Sequence, residues 1–393
     1  MKQVFSFIFL LTILLTGCTN SMFDDGDIVL TSTSASDISI FRDNLIVAGS
    51  GQFSENVLDI KSPYLLTLDS SLNIIDSNVF KTETTASNVL LKSFDKDQCV
   101  LTFYAAQSLK NQEEQSEIKI LDEEFRVINK FTYGHRTRIK DIAIVDHTAF
   151  FTLNYERSTQ EISAKLFENS NEEFNVLVKE SLETNIPVTI TLLPEKQFAI
   201  SGIANGFHYL DGHNYSNPLA YGFIRKFDRK GNELSRFNYK YSSHIFFNDM
   251  ICVEDNLVVF GTKQSEETGM DLFILQFDDQ LNNVWEKYFQ TPGIQEASKI
   301  IFIEGLFYIL STTENLETHN MSLVLMCIDQ KGNIEWEKSF SEENRSSSAV
   351  DLVYFKSHLI ILSQSKENRI SSPDNLLYKI SLGGDIIKKI SLN

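Results

Sequence analysis

The sequence predicts an all-β fold built from one four-stranded unit repeated seven times, and three observations carry that prediction. A stretch recurs: DDQLNNVWEKYF runs from Asp278 to Phe289, and DQKGNIEWEKSF runs from Asp329 to Phe340, 51 residues later. Short apolar runs ending in a small residue recur along the whole chain. Gly49, Thr102, Thr152, Ser201, Gly261, Ser311 and Ser363 follow one another at steps of 53, 50, 49, 60, 50 and 52 residues. Helical spacing of apolar residues is absent, whereas runs of four to eight apolar residues bounded by polar turns are common.

Each unit reads as four strands, A to D. Strands A and B are visible in DISIFRDNLIVAG, MICVEDNLVVFG and IIFIEGLFYILS, where DN or EG marks a two-residue turn. Strand C of the sixth unit, Leu323 to Ile328, is apolar at every position, as expected of a strand covered on both faces. Strand D follows an Asp-x-x-Gly-Asn turn, and there Ile334, Trp336 and Phe340 alternate with Asn333, Glu335, Glu337 and Ser339. Alternation predicts one covered face, so C is interior and D peripheral. Four-stranded antiparallel sheets about 50 residues apart, buried inside and half-wet outside, describe the blades of a β-propeller. The expected architecture is a single seven-bladed propeller over residues 28–393, with six or eight blades as alternatives. Trp285 and Trp336 hold the same outer-strand position, where other units carry Ser235, Asp76 and Asn129, and they read as packing residues.

Ahead of the repeats lies a processing signal. Lys2 is a short basic region, Val4 to Leu15 is a twelve-residue apolar segment, and Leu15-Thr16-Gly17-Cys18 follows. Twelve residues are too few to span a bilayer, which takes about 20. The Leu-Thr-Gly-Cys ending resembles a bacterial lipobox. That resemblance implies a signal peptide over residues 1–17, an acylated Cys18 and a polar tether over residues 18–27; the alternative is an ordinary secretory peptide with a chance cysteine. At about 0.8 kcal/mol per buried methylene, a multiply acylated cysteine holds a membrane without a spanning helix. The acidic Asp24, Asp25 and Asp27 resemble the surface-export signals of Bacteroidetes lipoproteins, but they start late after Cys18, and a solvated linker is the preferred reading.

The D-x-x-G-N-x-x-W-x-K-x-F blade behind a lipobox resembles lipid-anchored propellers of Bacteroidetes. It is also similar to repeats of pyrroloquinoline-quinone-like propellers, in which Trp falls eight residues after Asp rather than the seven from Asp329 to Trp336. The resemblance bears on architecture, and propellers host many functions. It implies a bacterial outer-membrane lipoprotein facing the periplasm or the cell surface.

The chain carries 53 acidic against 35 basic residues, a net charge of −18, which disfavours nucleic acid and anionic headgroups as partners. Of four cysteines, Cys99, Cys252 and Cys327 sit in apolar runs and read as buried thiols; their spacing suits no metal site. No Cys-Cys pair, Asp-box, Gly-rich phosphate loop or G-x-S-x-G elbow occurs, so neither a catalytic residue nor a cofactor is expected. The pairs Glu113-Glu114, Glu172-Glu173 and Glu342-Glu343 read as solvated charges, and His208 with His213 is a weak metal candidate only.

Length variation concentrates in the B–C connections, which share one face of a propeller with the D–A connections, and this makes that face the functional candidate. Its longest insertion, 203–219, carries Phe207, His208, Tyr209, Asp211, His213 and Tyr215 among turn-forming residues. Those six are the candidate ligand-binding residues, for a protein or glycan partner. The expected function is a non-enzymatic binding or scaffold lipoprotein. The alternative is an envelope hydrolase or lyase with an active site dispersed over several blades.

Overall fold

The computed structural model describes residues 30–393 apart from 54–59, 83, 107–113, 134–136, 157–160, 169–170, 179–184, 206–218, 315, 317, 341, 343, 368–370 and 393. The processing signal, Cys18 and the tether lie outside the described residues. So do residues 206–218 of the insertion, with all six of its candidate ligand-binding residues.

Within the described residues the chain forms twenty-eight strands and a single short 3-10 turn at Pro194–Lys196. The strands group into consecutive antiparallel meanders of four, here units 1 to 7. Their A strands are Leu30–Phe41, Thr85–Ser93, Thr137–Asp146, Asn185–Leu192, Ile245–Val253, Gly293–Ile303 and Ser346–Phe355. Strand order within each unit is A-B-C-D, so among the described strands none is exchanged between the first and last units. Unit 7 completes itself with Ile386–Ser391, and Leu30–Phe41 pairs with Asn44–Phe53 of its own unit. Units 5 and 6 gain a short parallel contact at Gly269 and Gly293.

A sheet with two apolar faces must be covered on both, and each unit covers its neighbour. Apolar clusters lie between units 1 and 2, 2 and 3, and so on to 6 and 7. Another joins the ends of the series, where Phe355, Ile360, Leu362 and Leu377 of unit 7 pack with Ile38, Leu45, Val47 and Leu66 of unit 1. The A strands touch in the same cyclic order, with Ser346–Phe355 against Leu30–Phe41.

The A–B turns are tight, with Arg42-Asp43 and Lys356-Ser357 both at positive φ, and Asn44 already belongs to strand B. The turn therefore sits one residue earlier than the DN reading places it. Strand C of unit 6 is interior as expected, buried from Leu323 to Ile328. Strand D departs from expectation at Ile334, which is 49% exposed while Trp336 and Phe340 are half-buried. A bulge opposite Cys327 and Ile328 breaks the alternation and turns Ile334 outward. Cys99 and Cys327 are buried, but Cys252 is only half-buried and donates its thiol to the Glu254 carbonyl at 3.2 Å.

The recurring C–D turn has a physical basis. The Asp329 carboxylate accepts the backbone N–H groups of Lys331 and Asn333, each at 2.8 Å, and the Asn333 amide donates to its other oxygen. These bonds, the Asn333 N–H foremost, hold the Asp329 carboxyl below the usual range. The fourth turn residue must take positive φ: Gly332 and Gly384 do so freely, whereas Leu72, Phe125 and Leu281 do so under strain. Those three side chains are buried, and burial offsets the strain. At Gly332 and Gly384, though not at Gly231, the tryptophan of the preceding unit fills the space that glycine leaves. The Trp285 ring lies 3.2 Å from where a Cβ on Gly332 would be, and the Trp336 ring 2.9 Å from that of Gly384. Units whose successor has Leu or Phe at the turn carry no tryptophan, as at Ser235 before Leu281 and Asp76 before Phe125. The repeated motif is thus one half of a contact between neighbours.

Candidate functional site

Every A strand carries a β-bulge near its middle, at Ala35/Asp37, Ser87/Leu90, Ile139/Asp141, Pro187/Thr189, Phe247/Asp249, Ala297/Lys299 and Ala349/Asp351. A bulge re-aims the side chain beside it, and here four aspartates are aimed at the next unit. Asp37 accepts the Leu91 N–H at 2.6 Å, Asp141 the Ile190 N–H at 3.0 Å, and Asp249 the Ile300 N–H at 3.0 Å. Asp351 of unit 7 accepts the Ile38 N–H of unit 1 at 3.2 Å. The last contact repeats the others across 313 residues of sequence.

A second series matches it on the outside of the units. Lys226 donates to the Asp279 carbonyl at 3.0 Å, from strand C of unit 4 to the turn of unit 5, and Lys379 of unit 7 donates to the Ser70 carbonyl of unit 1 at 2.7 Å. Asn375 adds further bonds between the terminal units, accepting the Ala35 N–H at 2.9 Å and donating to Thr33 Oγ1 at 2.8 Å.

Two lysines balance the inner carboxylates. Lys92 lies 3.3 Å from Asp37, and Lys299 3.4 Å from Asp249. Burial pushes the Asp37 carboxyl up to about 7, against the pull of Lys92 and with the help of Asp351. Burial also raises Asp249, against Lys299. Burial alone would lower Lys299, but Asp249 and, behind it, Asp351, Asp141 and Asp37 hold its ammonium above the ordinary value. Fields from four units therefore meet at one lysine, which places these groups around a common centre. Several carboxylates do converge, but each is bonded to a backbone N–H of a neighbouring unit. The Thr189 hydroxyl donates to Asp141 at 2.6 Å, and among the described residues no three Asp, Glu, His or Cys side chains are grouped to hold a metal ion.

The sequence reading missed these aspartates. A signal existed for three of the four: Asp37, Asp249 and Asp351, like Lys299, precede the small strand-B residue of their unit by 12 positions, and Asp141 precedes its own by 11. A charged residue at a fixed offset inside an apolar run marks a committed partner, because burying a lone charge is costly.

The B–C and D–A ends of the strands carry a different chemistry. Lys263 lies over two rings, 3.6 Å from the Tyr241 centroid and 4.6 Å from that of Tyr288. Tyr239 donates to Glu286 at 2.9 Å and shares a hydrogen bond with Tyr288. Burial lowers the Lys263 ammonium against Glu286 and Asp271, and pushes the Tyr288 hydroxyl up to about 12. Tyr241 remains 46% exposed. The residues flanking 206–218 are tied together and to His244: the Asn205 amide donates to the Leu219 carbonyl, and the Ala220 N–H donates to His244 Nδ1 at 3.0 Å. Further along the same face, Arg345 binds Glu342, Asp374 and Glu367.

No family model and no curated protein matches this chain. Among solved structures it is similar to the β-propeller domain of the Trilobed protease from Pyrococcus furiosus, described as having an open velcro topology. That likeness has 10% identity, covers 93% of this chain and 97% of that one, and gives a TM-score of 0.54. The apocarotenoid oxygenase of Synechocystis aligns with 13% identity over 78% of this chain and 74% of that one, at a TM-score of 0.44. The first likeness shows the fold alone: an all-β, propeller-like arrangement of four-stranded antiparallel sheets.

Proposed function

We propose that the chain is a cell-envelope lipoprotein, a single seven-bladed propeller held to the outer membrane by acylated Cys18, which binds a protein or glycan partner on its B–C loop face without catalysis. The seven-blade reading is supported by the cyclic contacts of the A strands and by the Asp351–Ile38 bond, which repeats between the terminal units what Asp37, Asp141 and Asp249 do between neighbours. One observation carries the non-enzymatic reading: the converging carboxylates are occupied as clamps between units, which leaves the aromatic and charged loop face for recognition. The Asp37–Asp351 pair favours the second reading, a hydrolase or lyase. A dyad sharing one proton suits acid–base work, although both carboxylates already accept backbone N–H groups.

Two experiments test the first reading. Metabolic labelling with a fatty acid is expected to mark the parent and spare Cys18→Ser; equal labelling of both overturns the anchor. In the 206–218 insertion, replacing Tyr209 and Tyr215 by alanine is expected to abolish partner capture and leave stability within about 1 kcal/mol, as for surface substitutions. A double variant that unfolds, or that captures the partner as well as the parent does, removes this loop from the binding surface.

A further inference from the structure

Among the described residues, several cations along the inner strands and the loop face are ion-paired. Lys92 has Asp37, Lys299 has Asp249, and Arg345 has three carboxylates. Arg138 and Lys140, at the start of the A strand of unit 3, have no carboxylate within ion-pair reach among the described residues. They belong to a run from Phe125 to Lys140 that holds five Lys or Arg and no Asp or Glu, in a chain of net charge −18. The outer members of that run are neutralised, Arg126 by Asp122 and Glu124, and Lys130 by Glu117. Of the members of the run among the described residues, Arg138 and Lys140 on the A strand form no ion pair.

The geometry around them is that of an open cation pair. The Arg138 guanidinium lies over the Tyr104 ring of unit 2, 4.6 Å from its centroid, and its Nε is buried without a hydrogen-bond partner. Glu114 is bonded to the Tyr104 hydroxyl. Ser116 donates to the Thr137 carbonyl at 2.6 Å and ties the start of this strand to unit 2. Burial, then repulsion from Arg138, lowers the Lys140 ammonium. A buried donor left unpaired costs about 1–3 kcal/mol, and more for a charged group, so a site that keeps two together is poised for an anion. The planar guanidinium forks onto two oxygens of one group, and the lysine adds a point charge.

We propose that Arg138 and Lys140 form an oxyanion-binding site at the inner edge of the loop face, between units 2 and 3, taking a carboxylate or sulfate group of the ligand. The proposal rests on the reading of that face as the binding face and narrows the partner to one that presents such a group.

The test uses the full chain in detergent at low ionic strength, with sodium sulfate and a trigalacturonate as probes and a neutral galactose trimer as control. The parent is expected to bind at least one of the two anionic probes by calorimetry and not to bind the neutral trimer. Arg138→Gln with Lys140→Gln is expected to weaken that binding at least tenfold while melting no lower than the parent, since it removes two unpaired cations. Lys96→Gln, on the exposed surface, is expected to bind as the parent does. Sulfate without trigalacturonate points to a sulfated group, and the reverse to a carboxylate. Parent and double variant binding equally, or neither anion binding the parent, overturns the site. The binding-face reading is judged separately, by partner capture in the Tyr209 and Tyr215 variant.

Discussion

Gly261→Val is expected to destabilise the protein by about 3 kcal/mol or more, the upper range for overpacking a core. A Cβ built on Gly261 meets the backbone carbonyl oxygen of Phe246 at 2.3 Å and the Phe273 ring at 2.6 Å. Neither can yield: the carbonyl belongs to the paired A strand, and Phe273 is wholly buried. Across the sheet, Gly261 pairs with Phe273, Gly49 with Tyr64 and Gly202 with Phe223, so each glycine sits where an aromatic ring of strand C lies across strand B. Where the strand C partner is aliphatic, the site holds Thr102, opposite Ile118, or Ser363, opposite Leu376. Urea unfolding of the variant against its parent measures the loss. Ser363→Ala is the control and is expected to stay within about 1 kcal/mol, because its buried hydroxyl has no partner to lose. A Gly261→Val midpoint equal to the parent's would mean that the ring moves aside at little cost, and the account of the small residues would fail.

Those small residues show what could be read in advance. Their near-constant step gave the repeated unit because each one lies at or within two residues of the same close crossing of strands A and B, which in unit 4 falls at Gly202 rather than Ser201. The Asp-x-x-Gly-Asn turn was legible because Asp329 and Asn333 satisfy each other within five residues. Ile334 was misread because a bulge, which leaves no mark in apolar periodicity, turned it outward. The tryptophans could be assigned to packing but not to a partner, since Trp285 covers Gly332 and not its own turn. Contacts between units were the least visible. Asp351 and Ile38 are joined by a bond spanning 313 residues, and nothing near either residue announces the other. The Arg138–Lys140 pair was hidden differently: an acid-free run is easily seen, but which of its cations lack partners is decided by the fold.

Asp37→Asn is expected to change how stability depends on pH. Asp37 lies with Asp351 between the terminal units, and burial raises its carboxyl to about 7 in the folded protein, against about 3.9 in an unfolded chain. The sign follows from proton counting. Between those values the folded state keeps a proton that the unfolded state has released, so raising the pH favours unfolding. The penalty is absent below about pH 4, grows as the pH rises towards 7 and is constant above it, reaching roughly 1–4 kcal/mol. The shared proton belongs to the pair rather than to one residue. Asparagine matches the protonated form: its carbonyl oxygen can accept the Leu91 N–H, its amide can donate to Asp351, and Lys92 keeps the field of Asp351. Asp37→Asn should therefore equal its parent near pH 4.5 and exceed it at pH 8, as read from urea midpoints at the two values. Asp37→Ala strands the Leu91 N–H and should lose about 1–3 kcal/mol at both. If the difference between the asparagine variant and the parent is the same at pH 4.5 and pH 8, no proton is taken up at this junction on folding, and the Asp37–Asp351 pair is two carboxylates rather than one acid and one base.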